Sequence, residues 1–145
     1  MNDTPADPRP TSTKPRIRHT MVRVKDLEKS VKFYAEVLGM KEFRRSQNEG
    51  GKYSVVFMGY GDENSDPAIE LTYNWGQDDG YEIGSGYGHI AIGFPDIYEV
   101  CKKVEAFGME VPRPPGPLKH TGPNGPVIAF IRDPDGYSIE LGQRA

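Results

Sequence analysis

Four residues whose side chains can bind a metal ion recur in the sequence at one spacing. His19 and His89 are seventy positions apart, and Glu70 and Glu140 are separated by the same interval. Imidazole nitrogens together with carboxylate oxygens suit Zn, Ni, Co, Fe or Mn better than Cu(I) or Ca. Two His and two Glu leave two positions of an octahedron free, and an open site of this kind can polarise a carbonyl. The spacing therefore predicts an open metal site.

Glu70 lies at the centre of an otherwise apolar, strand-like stretch. Residues 68–75 alternate, so that Ile69 and Leu71 share one face and Glu70 points to the other. Considered alone, Glu70 could lie on a polar strand face open to water, and each histidine could be a partly buried strand residue. Burying an unpaired charge is costly, so this carboxylate needs solvent, a cation or a metal. The recurrence of both residue types at one interval favours the metal.

The same interval indicates a duplicated module. Asp26 and Asp96 are again seventy apart, and each precedes a helical pattern as an N-cap would. Gly39 and Gly108 stand where these helices should end. A strand precedes each helix and three strands follow it, which predicts an α+β fold of two tandem βαβββ modules. The strands are expected at residues 17–25, 40–46, 53–60, 68–75, 87–92, 109–113, 127–132 and 137–141.

The chain divides into a tail and one folded domain. Residues 1–16 are rich in Pro, Thr and Asp with few large apolar side chains, which predicts a disordered N-terminal tail. Residues 17–145 form one domain of ordinary size. Module 1 is expected over about residues 17–75 and module 2 over about 87–142, joined by a polar, Gly-rich linker.

Composition excludes several classes of protein. The net charge of −3 gives no basic surface for nucleic acid, and no apolar run is long enough to span a membrane. The single cysteine, Cys101, lies on the apolar face of a predicted helix, which indicates a buried hydrophobe rather than a nucleophile. No apolar secretory region follows the N-terminus. Together these features predict a cytoplasmic protein.

Several stretches of the sequence carry a resemblance to a known family. They are His19–Val24, Phe33-Tyr34 with Leu38–Met40, Glu70–Trp75, Gly88–Ile90, and Asp133–Tyr137 with Ile139-Glu140. The Asp-Pro-Asp-Gly-Tyr turn is common, whereas the run from Glu70 to Trp75 with all four metal positions filled is specific. Over about residues 17–142 the chain resembles glyoxalase I (lactoylglutathione lyase), of the vicinal oxygen chelate superfamily, in its compact bacterial form.

The resemblance implies a reaction and an assembly. The enzyme would be a homodimer whose modules pair across subunits, so that each metal takes His19 and Glu70 from one chain and His89 and Glu140 from the other. The metal would be nickel or cobalt, with zinc as the alternative. The substrate would be the hemithioacetal of methylglyoxal and glutathione, and the product S-lactoylglutathione.

The resemblance also implies roles for single residues. Glu140 would be the catalytic base that moves a proton between neighbouring carbons, and Glu70 its partner on the opposite face of the substrate. Arg23 and Asn74 match residues that hold the glutamyl end of glutathione. Lys119 resembles a loop lysine that meets the glycyl carboxylate.

Other functions use the same pair of modules. Ring-cleaving dioxygenases hold iron with two His and one Glu, and the thiol transferases also need only three protein ligands. Metal-free proteins that bind small molecules or confer resistance have no need of either glutamate. Glu70 is thus the residue that discriminates among them and favours the lyase.

Overall fold

The computed structural model describes residues 14–143, so the predicted disordered tail over residues 1–16 lies almost wholly outside the described residues. The first module contains β1 His19–Arg23, α1 Leu27–Glu36, β2 Lys41–Asn48, β3 Tyr53–Gly59 and β4 Ala68–Asn74. The second contains β5 Ile90–Phe94, α2 Ile97–Ala106, β6 Arg113–Pro117, β7 Val127–Arg132 and β8 Ser138–Gln143. The order β-α-β-β-β occurs twice, which confirms the predicted α+β fold of two tandem modules.

Each module forms one four-stranded sheet whose first and last strands are parallel neighbours. The strand order is β1-β4-β3-β2 in one sheet and β5-β8-β7-β6 in the other. Met21 lies opposite Glu70 in the first sheet, and Ala91 lies opposite Glu140 in the second. Since positions 21 and 91 are also seventy apart, the repeat in the sequence is a repeat in strand register.

Both helices begin and end where the sequence predicts. The carboxylates of Asp26 and Asp96 accept hydrogen bonds from N–H groups of the first helical turn, which would otherwise lack partners. Gly39 and Gly108 follow the helices with φ angles of 72° and 92°, which glycine adopts without a steric penalty. Among the described residues, no helix is long and apolar enough to cross a membrane.

One apolar core joins the two modules. Each helix packs on its own sheet, and the rings of Phe33 in α1 and Phe107 after α2 meet with centroids 5.5 Å apart. The buried cluster continues from Leu71 in β4 to Leu141 in β8. Burial of each such side chain contributes roughly 1.5–3 kcal/mol, so this shared core fixes how the modules sit against each other.

The strand predicted at residues 109–113 is wrong. The strand of this region, β6, covers Arg113–Pro117 and contains Pro114 and Pro115. Proline lacks an N–H group, but β6 lies at the edge of its sheet, where one side makes no ladder bonds. The Arg113 guanidinium donates to the carbonyl oxygen of Ile128 at 2.6 Å and so holds the irregular strand to its neighbour.

A turn of the second module is anchored on the first by hydrogen bonds, one of them buried. Asp133 is 1% exposed and accepts a hydrogen bond from the Tyr34 hydroxyl at 2.8 Å. Asp135 accepts one from the Lys25 N–H at 2.9 Å. Burial raises the pKa of Asp133 to about 6, although the Tyr34 hydroxyl and the N–H of Tyr137 favour its ionised form. This carboxylate therefore titrates in the middle of the contact between modules.

Asp133 should make the stability of the protein depend on pH. Its folded-state pKa of about 6 lies above the ordinary value of 3.8, so the folded state binds the proton more tightly between these values. The tighter binding of this proton contributes about 3 kcal/mol to the free energy of unfolding below about pH 4. This contribution is lost as the pH rises through 6. Replacing Asp133 by asparagine should remove this part of the pH dependence, measured by urea unfolding across that range.

Asparagine is a suitable replacement because its amide oxygen can still accept from the N–H groups of Asp135 and Tyr137. Asp79→Asn, at an exposed acidic position, is the matched control and should keep the slope of the unmodified protein. Equal slopes between about pH 4 and pH 6 for Asp133→Asn and the unmodified protein would contradict this account.

Candidate metal centre

The first module brings His19 and Glu70 together on neighbouring strands. His19 Nε2 and Glu70 Oε1 are 3.3 Å apart, and the side chains are 38% and 18% exposed, so both can reach a ligand from solvent. The other Glu70 oxygen accepts a hydrogen bond from the Thr72 hydroxyl at 2.8 Å. The carboxylate in the apolar strand is thus paired on both oxygens rather than buried without partners.

The second module repeats this pair. His89 Nε2 lies 2.9 Å from Glu140 Oε2, with side chains 41% and 27% exposed. The strand predicted from residue 87 begins only at Ile90, so His89 immediately precedes β5 rather than lying within it. The shift leaves the imidazole beside the glutamate, because β5 and β8 are parallel neighbours.

A phenylalanine supports the histidine ring in each module. Phe57 meets His19 edge to face with ring centroids 5.3 Å apart, and Phe130 meets His89 in the same way at 5.2 Å. Each phenylalanine lies opposite the glutamate of its module in the strand register. Edge-to-face contacts are favourable and restrict ring rotation, so both histidines are held in equivalent positions. The sequence pattern did not identify Phe57 and Phe130 as contacts of the histidines, although both are aromatic residues within predicted strands.

The two pairs are separate within one chain. Among residues 14–143, no group of three or more His, Cys, Asp or Glu side chains is close enough to hold one metal ion. Each pair presents an imidazole nitrogen and carboxylate oxygens on a solvent-accessible strand face, and this donor chemistry fits a divalent transition metal. Each pair is called a half-site below: His19 with Glu70 is the first, and His89 with Glu140 is the second. Four protein ligands around one ion therefore require two half-sites to face each other.

Arg23 and Asn74 extend the face of the first half-site. Arg23 ends β1 and Asn74 ends β4, each four residues after a metal candidate and therefore on the same strand face. Arg23 Nη1 donates to Asn74 Oδ1 at 2.9 Å. Tyr81, in the linker between modules, donates its hydroxyl to the same oxygen at 2.9 Å. The two predicted substrate-binding residues thus contact each other, and Tyr81 binds the same amide. The sequence of the polar, Gly-rich linker contained no pattern that indicated this role for Tyr81.

Lys119 stands apart from these residues. It lies exposed in the loop between β6 and β7, which is closed by a hydrogen bond from the Leu118 N–H to the Pro126 carbonyl at 2.8 Å. Leu118 and Pro126 border a cavity of about 480 Å³ beside Glu140, which Lys119 itself does not line. The loop that carries Lys119 is therefore next to the second half-site.

The second module has small residues where the first has large ones. Seventy positions after Met21 and Arg23 stand Ala91 and Gly93, both exposed, and the counterpart of Thr72 is Gly142. A Cβ atom added at Gly142 would have one atom within 4 Å, the backbone oxygen of Ile92 at 4.0 Å. The first half-site therefore supplies polar groups for a ligand, whereas the second supplies space.

Comparison with known proteins identifies the family of this chain. The model of the Glyoxalase/Bleomycin resistance protein/Dioxygenase superfamily matches residues 16–141. A lactoylglutathione lyase of Haemophilus influenzae is 54% identical over 125 residues, which cover 86% of this chain and 90% of that protein.

Solved structures give the same result. Glyoxalase I from Zea mays is 45% identical with a TM-score of 0.83, over 90% of this chain and 45% of the maize chain, so this chain spans less than half of the maize protein. The trypanothione-dependent glyoxalase I of Leishmania major is 43% identical with a TM-score of 0.73, over 89% of this chain and 86% of that one. The chain therefore belongs to the Glyoxalase/Bleomycin resistance protein/Dioxygenase superfamily and, within it, to the glyoxalase I family of lactoylglutathione lyases.

Proposed function

We propose that this protein is a lactoylglutathione lyase that detoxifies methylglyoxal. Its substrate is the hemithioacetal that forms from methylglyoxal and glutathione, and its product is S-lactoylglutathione. The observation that carries the proposal is the presence of two His–Glu half-sites in the same strand register. The 54% identity to the Haemophilus influenzae lactoylglutathione lyase supports the same reaction.

The proposed enzyme is a homodimer with shared metal centres. Each centre combines His19 and Glu70 of one chain with His89 and Glu140 of the other, because the pairs of a single chain are separate. The favoured ion is nickel or cobalt, and zinc is the alternative. When bound, such an ion stabilises negative charge that develops on the substrate oxygens.

Glu140 is proposed as the catalytic base. It takes the proton from the carbon that bears sulfur and returns it to the neighbouring carbon. Glu70 is restrained by the Thr72 hydroxyl, whereas the position that corresponds to Thr72 in the second module is Gly142, which has no hydroxyl. The Glu140 carboxylate is therefore freer to move toward the substrate, and Glu70 is the partner carboxylate on the opposite face.

The proposed substrate-binding residues are cations and amide donors, which suit the carboxylates of glutathione. Arg23 is exposed and lies against Asn74, and together they would hold the glutamyl end. Lys119, in the loop beside the cavity at Glu140, would meet the glycyl carboxylate. Since the Leishmania major relative is trypanothione-dependent, the thiol needs a test of its own.

Four ligands favour the lyase over other activities of the superfamily. A ring-cleaving dioxygenase or a thiol transferase needs three protein ligands, and a metal-free binding protein needs none. Glu70 is paired with His19 much as Glu140 is paired with His89, at 3.3 Å and 2.9 Å. A glutamate at position 70 that did not bind the metal would have no need to contact His19 in the way that Glu140 contacts His89.

The proposed setting is the cytoplasm, and the proposed partners are the substrate and a second copy of the chain. Glutathione, the thiol of the substrate, also keeps cytosolic thiols reduced. Cys101 is buried as expected, and burial raises the pKa of its thiol, so it is poorly suited to act as a nucleophile.

Metal removal and replacement test the proposed function. The purified protein is stripped of metal, loaded with nickel, cobalt or zinc, and assayed for formation of the lactoyl thioester from methylglyoxal with either glutathione or trypanothione as the thiol. We expect nickel and cobalt to restore the reaction with glutathione and zinc to restore little. Strong activity with zinc would overturn the metal preference, and a preference for trypanothione would overturn the thiol. No thioester with any metal, despite one ion bound per site, would overturn the function.

A further inference from the structure

We infer that Tyr81 is a positioning residue that fixes the side-chain amide of Asn74 for a carboxylate of the substrate. The inference rests on the proposed function, in which Arg23 and Asn74 bind the glutamyl end of the thiol. Tyr81 lies in the linker between the modules, on neither of the strands that carry the site. Its role would therefore connect this linker to substrate binding.

The hydrogen bonds allow only one orientation of the Asn74 amide. Asn74 Oδ1 accepts from Arg23 Nη1 and from the Tyr81 hydroxyl, both at 2.9 Å. A carbonyl oxygen has two lone pairs, so this oxygen is saturated. Flipping the amide would place its NH₂ group against the Arg23 donor, which has no acceptor to offer. The Nδ2 group consequently faces away from both residues and is available as a donor to a ligand.

Tyr81 restrains the amide more firmly than Arg23 alone could. Arg23 is exposed and has a long, flexible side chain, whereas Tyr81 is half-buried. The linker before Tyr81 is itself ordered by a hydrogen bond from Gln77 Nε2 to the Gly80 carbonyl at 3.2 Å. Gly80 adopts a φ of 88°, which turns the chain so that the tyrosine returns to the end of β4. The rotationally restricted ring of Tyr81 thus places its hydroxyl within hydrogen-bond distance of Asn74.

The resulting arrangement suits a carboxylate. The Arg23 guanidinium retains further N–H groups besides the one used on Asn74, and the Asn74 amide contributes its own. Charge-assisted hydrogen bonds from two such donors hold an anionic group in a fixed place. Because these groups lie at the strand ends, away from the glutamates that would carry the chemistry, Tyr81 should affect binding rather than turnover.

Tyr81→Phe tests the inference because it removes only the hydroxyl. In the nickel-loaded enzyme, KM for the glutathione hemithioacetal should rise about fivefold, while kcat changes less than about twofold, as expected for the loss of one hydrogen bond. In an Asn74→Ala background, Tyr81→Phe should cause no further rise. Tyr73→Phe is the matched control, since the Tyr73 hydroxyl bonds Asp78 of the same linker at 2.7 Å and should leave KM unchanged.

A spectroscopic measurement separates positioning from a general loosening of the linker. The NMR signals of the Asn74 side-chain NH₂ should shift or broaden in Tyr81→Phe and remain unchanged in Tyr73→Phe. Unchanged KM and NH₂ signals in Tyr81→Phe would overturn the inference, as would equal effects of the two tyrosine variants or additive losses in the double variant. If the unsubstituted, metal-loaded protein forms no thioester, the proposed function fails, and unperturbed NH₂ signals in Tyr81→Phe would still overturn the positioning role.

Discussion

Replacing Glu140 by glutamine is expected to lower kcat for the hemithioacetal by about 10²–10⁴-fold, the usual effect of losing a general base. Glutamine has nearly the same shape as glutamate, and its amide oxygen can still face a metal. It cannot take up the substrate proton, because an amide is far too weak a base. The purified variant should therefore keep most of its metal while it loses its turnover.

The control for this prediction is Glu110→Gln. Glu110 is exposed and lies between α2 and β6, outside both half-sites, so the same change of charge should leave kcat unaltered. Turnover near the normal rate in Glu140→Gln would contradict the role of base. Loss of metal in parallel with activity would attribute the lost turnover to the place of Glu140 among the metal ligands, and the base would then have to be sought elsewhere.

The repeat in the sequence predicted two equivalent His–Glu pairs because register and side-chain direction follow from pattern. A strand has a side-chain period of two, so two copies with the same alternation must place Glu70 and Glu140 on equivalent faces. The structure has that equivalence, with Met21 opposite one glutamate and Ala91 opposite the other. The closeness of each histidine to its glutamate depended in addition on the first and last strands of each module being neighbours, as they are in both sheets.

Other features depended on tertiary context that no local pattern contains. The strand β6 holds two prolines, which ordinarily argue against a strand, and it exists because it lies at a sheet edge and Arg113 binds the carbonyls around it. Tyr81 is a single residue in a polar linker, and only the folded chain shows that its hydroxyl reaches Asn74. The proposed pairing of two half-sites would depend on a surface between copies of the chain, which strand periodicity does not specify.

The second large expected effect depends on assembly. Two variants that are each nearly inactive should recover activity when their chains pair with each other. In Glu70→Gln or Glu140→Gln alone, both centres of the dimer carry the substitution, and each protein should be nearly inactive. When one chain of each kind pairs, one shared centre receives both substitutions and the other receives neither. Random pairing makes half of the dimers mixed, so the mixture should have about one quarter of the unsubstituted activity.

This complementation tests the central claim, that His19 and Glu70 of one chain complete a centre with His89 and Glu140 of another. The two variants are denatured, mixed in equal amounts, refolded with nickel, and assayed beside each variant refolded alone. The account predicts about one quarter of the activity of the unsubstituted protein refolded in the same way. Activity no greater than the mean of the two separate variants would contradict it, because a centre built within one chain gains nothing from the partner.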